Sequence, residues 1–223
     1  LRVSERTGRS VVVENDANAA AWAEFKFGAA AGTNSAVIVT VGTGIGGGVI
    51  INNELLRGAH GFGTEIGHIC LVPDGKLCGC GLKGCWEAYS SGNALVRAAR
   101  EFATKSPAVA TRLLELGGGI PEGITGVMVT KAAQEGDELA IKCFNHIGHY
   151  MGIGMADLAA VLDPEMFVLA GGVCEAGDLL LDPTRRSFES SLTARSFRPA
   201  IPVGVATLGN EAGIIGAADL ARR

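Results

Sequence analysis

The chain is expected to fold as an α/β protein around a mixed sheet, and three observations carry that expectation. Short β-branched runs alternate with stretches of helical periodicity through the second half, the pattern that lays parallel strands side by side. In the first half, SAVIVTVGTGIGGGVIINNELL reads as two strands joined by a glycine-rich turn, which adds an antiparallel hairpin. Finally, 48% of the 223 residues are hydrophobic, enough to bury a sizeable core in one domain or two.

Residues 1–13 read as the end of a helix, a turn at Gly8 and the start of a strand. The run from Val11 to Asn15 (VVVEN) is short and β-branched, which predicts a buried strand. DANAAAWAEFKFGAA predicts a helix with Asp16 near its start and Gly28 near its end. After the hairpin, Asn52 and Asn53 supply a second turn into Glu54 to Arg57. From Cys85 to Phe102 the positions Ala94, Leu95, Ala98, Ala99 and Phe102 recur at three-and-four spacing, which predicts a helix. Val109 to Leu116 predicts a short helix stopped by Gly117 to Gly119, and Thr125 or Thr130 is placed to cap another that ends at Gly136. Asp137 caps a long helix from Glu138 to Leu162, closed by Asp163 and Pro164. MFVLAGG predicts a buried strand, Leu181 to Arg195 a helix, IPVGVATL a strand, and Ala212 to Arg222 a last helix opened by Asn210. The abrupt start implies that the chain is the second part of a longer protein.

Composition narrows the function classes. A net charge of −4 and the lack of basic blocks argue against nucleic acid as the main partner. No uncharged run of eighteen apolar residues occurs, so no membrane span is expected, and LRVSERTGRS is too polar for a secretion leader. Of six cysteines, three crowd one loop and Cys70 lies close by. That spacing reads as a metal site in a reducing, cytoplasmic setting, not a disulfide framework.

The loop in question runs EIGHICLVPDGKLCGCGLKGCWE, from Glu65 to Glu87. His68, Cys78, Cys80 and Cys85 form H-x9-C-x-C-x4-C, four ligands within eighteen residues. Four such donors are what a tetrahedral zinc takes, and with all four from protein no position stays open for a catalytic water. Glycines beside the cysteines let the loop double back so that the sulfurs converge. Buried free thiols with a solvent-facing histidine are the plainer alternative, and the density of ligands speaks against it.

Three further stretches bear chemistry. Asp16 follows one expected strand and opens a helix, where open α/β sheets bind ligands. It is either a general base for a hydroxyl or an ordinary N-cap. VGTGIGGG, Val41 to Gly48, is either an anion nest or a hairpin turn. It lacks the lysine of a Walker A loop, and a strand follows it where a dinucleotide fingerprint needs a helix. Gly171 and Gly172, after a buried strand, either let a flat ring approach the backbone or make a tight turn. His146 and His149 read as surface or packed groups, Cys143 and Cys174 as buried thiols, and Asp157 as part of a polar stripe.

Together, ENDANAAAWAE, TVGTGIGGGVI, RGAHGFGTEIGHI and CGCGLKGCWEAYSSGNAL resemble, in order, the signatures of the ROK family of bacterial sugar kinases and sugar-responsive repressors. The chain looks most like the ATP-dependent glucokinases of actinobacterial type. The resemblance implies a hexokinase/actin-like (ribonuclease H-like) fold whose two lobes close over a cleft, with a zinc-binding loop insertion. It implies Asp16 as the base for the sugar's 6-hydroxyl, and Asn15, Glu65, His68 and Glu87 as sugar ligands. It also implies Thr43 and Gly44 at a phosphate turn, Gly171 and Gly172 on the adenosine side, and His68, Cys78, Cys80 and Cys85 around a structural Zn²⁺. The implied substrates are glucose and ATP with Mg²⁺, and the implied assembly is a homo-oligomer, a dimer or tetramer. The family's D-x-G-x-T phosphate motif and its early sugar-binding asparagine loop do not occur in residues 1–223. The expectation is that these residues form mostly the C-terminal lobe and that this chain alone has weak or no kinase activity. A repressor sensor domain, or a kinase for N-acetylmannosamine or fructose, is the alternative within the family.

Overall fold

In the computed structural model, which describes residues 2–222, helix α1 (Arg2–Thr7) leads through an irregular segment into helix α2 (Asp16–Phe27). Strands β1 (Ala36–Val41), β2 (Ile45–Ile51) and β3 (Glu54–Leu55) follow as a meander. After the cysteine-rich loop come helices α3 (Glu87–Ser90), α4 (Gly92–Lys105), α5 (Thr111–Leu116), α6 (Gly126–Gln134) and α7 (Glu138–Leu162). The order closes with β4 (Met166–Ala170), α8 (Asp178–Ser191), β5 (Val203–Val205) and α9 (Ala212–Leu220).

The five strands make one sheet in the order β3-β2-β1-β4-β5. β1 pairs antiparallel with β2 (Val37 opposite Val49) and parallel with β4 (Val37 opposite Phe167), and β4 pairs parallel with β5. The sheet is therefore mixed, as expected. β1 is apolar on both faces because both are covered. Val37, Val39 and Val41 face the core shared with α4, α7 and α8, while Ala36 and Ile38 face the one shared with α2 and α9.

Helix α2 matters most for the site, because it carries Asp16. Trp22 is wholly buried on the sheet, and its indole N–H donates to Asp219 Oδ2 of α9 at 2.9 Å. Burying one such ring contributes on the order of 2–3 kcal/mol. Glu24, also buried, accepts the backbone N–H groups of Ala29 and Leu208, each at 2.8 Å. α2 is thus fixed along its length by both apolar and polar contacts.

The long helix α7 spans Glu138–Leu162, as the sequence predicts. Asp137 caps it by accepting the N–H of Ala140 at 2.8 Å, and Asp163 ends it in the left-handed region (φ 44°) ahead of Pro164. Cys143 and Cys174 are buried free thiols. Asp157 is exposed.

Several expectations are corrected. Val11–Asn15 is no strand, and Val13 is 90% exposed. β propensity is not enough without a neighbouring strand to complete the ladder, and the sheet order leaves this segment none. The helix expected from Cys85 to Phe102 is two, broken at Ser91, whose hydroxyl caps α4 by accepting the N–H of Ala94 at 3.2 Å. The helix expected over 181–195 is shifted to Asp178–Ser191 and begins after Gly177. Thr125 precedes α6, but its side chain makes no capping bond.

Candidate functional site

The cysteine loop folds on itself through two small antiparallel bridges, Cys70 with Cys85 and Leu77 with Lys83. The N–H of Cys78 donates to Leu82 O at 2.8 Å and that of Gly81 to Cys78 O at 3.0 Å, closing the turn that presents Cys78 and Cys80. Trp86, fully buried, pins the loop to α7 by donating its indole N–H to Tyr150 O at 2.9 Å. Tyr89 accepts the N–H of Lys76 at 2.7 Å.

This folding brings the donor atoms of His68, Cys78, Cys80 and Cys85 to within 4.8 Å of one another. Cys78 Sγ lies 3.6 Å from His68 Nδ1, and Cys80 Sγ 3.6 Å from Cys85 Sγ. Tetrahedral zinc, with bonds of about 2.3 Å to sulfur and about 2.0 Å to nitrogen, places neighbouring ligand atoms about 3.5–3.8 Å apart. The residues therefore fit the ion. Burial pushes the Cys78 thiol up to about 12 and raises that of Cys85, whereas the N–H of Leu82 lowers that of Cys80. To bind as thiolates, buried sulfurs of this kind need a compensating cation, a charge that zinc would supply.

Glu87 joins this cluster to the glycine turn. Its Oε1 accepts from Cys78 Sγ at 3.0 Å and stands 4.0 Å from His68 Nδ1. Its Oε2 accepts the N–H of Ile45 at 3.3 Å. A Cβ at Gly44 would lie 2.5 Å from that oxygen, so this close approach depends on glycine.

The turn closes with the N–H of Gly42 donating to Gly44 O at 3.0 Å. Its carbonyls at Gly42 and Thr43 accept the N–H groups of Gly92 and Asn93, at 2.8 and 3.4 Å, where α4 begins. On one side of the turn is a cleft of about 440 Å³ lined by Asp16, Thr43, Gly44, Glu87 and Gly171. On the other is a largely apolar cavity of about 760 Å³ between α4, α6 and the segment after β4, lined by Val96, Val127, Lys131, Gly172 and Val173. Gly42 and Thr43 line both.

Asp16 is the first residue of α2 and not its cap. The cap is Asn15, whose side chain accepts the N–H of Asn18 at 3.1 Å, which leaves the Asp16 carboxylate exposed at the cleft. Asn15, Glu65 and His68 line neither cavity. Glu65 is exposed at the head of a short 3-10 turn that ends at His68. The sequence reading missed the network that ties this loop to α2. Asn18, buried, donates to Glu14 Oε1 at 3.0 Å and accepts from Thr64 Oγ1 at 3.2 Å, while Arg57 holds Glu14 Oε2 at 2.7 Å. It also missed the apolar cavity. No local sequence signal marks it; Val127, which lines it, is 81% exposed on α6.

The match to known proteins is extensive. The model of the ROK family covers residues 2–223. The chain belongs to the ROK family. It is 50% identical over 221 residues to a glucokinase of Streptomyces coelicolor, covering 99% of this chain and 70% of that protein. A crystal structure of a ROK family glucokinase from Streptomyces griseus, in complex with glucose and AMPPNP, superposes with a TM-score of 0.91 at 51% identity, covering 99% of this chain and 71% of that one. The xylose repressor of Bacillus spizizenii is 32% identical over 189 residues, 84% of this chain and 44% of the repressor. The fold class and the ROK assignment expected from the sequence therefore hold.

Proposed function

We propose that the protein is an ATP-dependent glucokinase that transfers the γ-phosphoryl group of ATP to the 6-hydroxyl of glucose. The observation that carries this reading is the meeting of two cavities at Gly42 and Thr43. The larger, apolar one suits a nucleoside. The smaller, with two carboxylates, suits an uncharged polyol, because each carboxylate accepts more than one hydroxyl. A phosphoryl group passing between them would cross the glycine turn.

In this reading Asp16 accepts the proton of the 6-hydroxyl as its oxygen attacks the γ-phosphorus and ADP leaves. Backbone N–H groups at Thr43 and Gly44 hold phosphate oxygens; Gly172 borders the nucleoside, while Gly171 lines the cleft side of the turn. Glu87 recognises sugar hydroxyls from within the cleft, and Glu65, His68 and Asn15, which line neither cavity, are assigned to the sugar by the resemblance to the family alone. The metal cluster is structural: it ties His68 through one ring nitrogen and leaves the other for a hydroxyl. Mg²⁺ supplies charge neutralisation on the phosphates when it arrives with the nucleotide. Asp16 and Glu87, the carboxylates that line the cleft, are both assigned to other tasks.

The identity to glucokinases supports glucose over other hexoses, and the exposed carboxylate of Asp16 supports turnover over the sensing role of the related repressor. The test pairs a hexose panel with Asp16→Asn. Glucose is expected to give the highest kcat/KM, and Asp16→Asn to lower kcat roughly 10²–10⁴-fold with glucose binding retained by calorimetry. Undiminished turnover in Asp16→Asn would remove the base assignment.

A further inference from the structure

Cys70 is the loop cysteine that the zinc site leaves over, and it stands directly opposite one of the ligands. It is exposed and pairs with Cys85 across a short antiparallel bridge. On one side of the pair the N–H of Trp86 donates to Ile69 O at 2.9 Å, and on the other the N–H of Leu71 donates to Gly84 O at 2.9 Å. Bonds that flank a pair without joining its members mark the non-hydrogen-bonded type. In such a pair the Cα atoms lie about 4.5 Å apart and the side chains share a face. That separation falls within the span of a disulfide.

The register is held firmly. Gly84, at φ 81°, lets its carbonyl accept from both Leu71 and Val72, at 2.9 and 3.2 Å, and a Cβ there would fall 1.9 Å from Val72 O. Among the described residues the thiol of Cys70 is held by a long contact to Lys83 O, 3.8 Å away, and rotation about its Cα–Cβ bond can turn the sulfur toward Cys85.

We propose that Cys70 and Cys85 form a peroxide-oxidised pair whose disulfide removes Cys85 from the zinc site and releases the metal. The proposal rests on the zinc reading above. In the first step the Cys70 sulfur, having given its proton to water, attacks one oxygen of hydrogen peroxide. An S–O bond forms, the O–O bond breaks and hydroxide leaves, giving a sulfenic acid. In the second, the Cys85 thiolate attacks that sulfur. The S–S bond forms, the S–O bond breaks and a second hydroxide leaves. The two sulfurs lose two electrons and the peroxide gains them. With Cys85 neutral and bridged, three ligands remain and Zn²⁺ departs. The consequence falls on His68 and Glu87, which the cluster positions.

The test treats the zinc-loaded protein and Cys70→Ser with hydrogen peroxide, follows zinc with a chromogenic chelator and maps linkages by mass spectrometry after unreduced tryptic digestion. Cleavage after Lys76 and Lys83 places Cys70, the Cys78/Cys80 pair and Cys85 on three different peptides. The expected result is a cross-link between peptides 58–76 and 84–97 that grows in step with zinc release, with release from Cys70→Ser roughly ten-fold slower. Dithiothreitol with added zinc should reverse both signals. Linkage of Cys85 to Cys78 or Cys80 instead, or equally fast release from Cys70→Ser, overturns the proposal. A protein isolated without zinc, and unable to take it up, sinks the zinc reading alone. The cross-link then judges the pair: its formation supports it and its absence overturns it.

Discussion

Glu87 and Cys78 stand 3.0 Å apart, Oε1 to Sγ, while the other oxygen of the same carboxylate takes the N–H of Ile45 at 3.3 Å. One side chain thus couples the cysteine cluster to the glycine turn. Glu87→Gln keeps the size and removes the charge and half of the acceptor capacity. Its expected effect is a rise in the KM for glucose of roughly ten-fold or more, as for a lost polar contact to a substrate hydroxyl, with a smaller change for ATP. Steady-state kinetics with each substrate varied in turn measures the split.

Cys80 is exposed, so replacing it by serine removes a proposed metal ligand without opening a core cavity. Cys80→Ser is expected to lower the zinc content and to raise the KM for glucose more than that for ATP, since the proposed function gives the loop from Glu65 to Glu87 to the sugar. Metal analysis beside kinetics checks this. Equal effects on both substrates would count against the scaffold role.

Val127 lines the larger cavity near the start of α6 and is 81% exposed. Val127→Asp adds charge where the reading places a nucleoside, and an acidic residue in a first helical turn costs the helix nothing. The KM for ATP should rise with glucose binding and thermal stability unchanged. A selective loss of glucose binding would reverse the assignment of the two cavities.

Glu14, with its side chain 11% exposed, carries a pH dependence. Burial opposes its ionisation, but hydrogen bonds from Asn18 and Arg57 outweigh it and hold the carboxyl below its ordinary value of 4.5. A lowered folded value means that stability is gained while the group is ionised. The gain is complete above pH 4.5 and is lost as pH falls through the folded value. The melting temperatures of the native protein and Glu14→Gln should therefore differ at neutral pH and converge on acidification. A constant gap would show that Glu14 acts through shape alone.

Much of the fold was legible because local signals agreed with one another. Asp137 and Asp163-Pro164 marked both ends of α7, and the continuous apolar run of β1 matched a strand covered on both faces. The failures came where local signals competed or needed a distant partner. VVVEN has the residues of a strand but no neighbour to pair with, and Asn15 took the capping position that Asp16 alone could also have filled.

The sequence by itself singled out His68, Cys78, Cys80 and Cys85 as a donor set, because four such donors crowded into one glycine-rich loop match what a tetrahedral metal takes. It also marked Asp16, Thr43 and Gly44, since their types and local turns are encoded nearby. The tertiary structure alone decided that Glu87 bridges cluster and turn, that two cavities meet at Thr43, and that Cys70 faces Cys85. Those relations depend on how separate segments pack and register, and no local preference specifies a contact between residues that only the folded chain brings together.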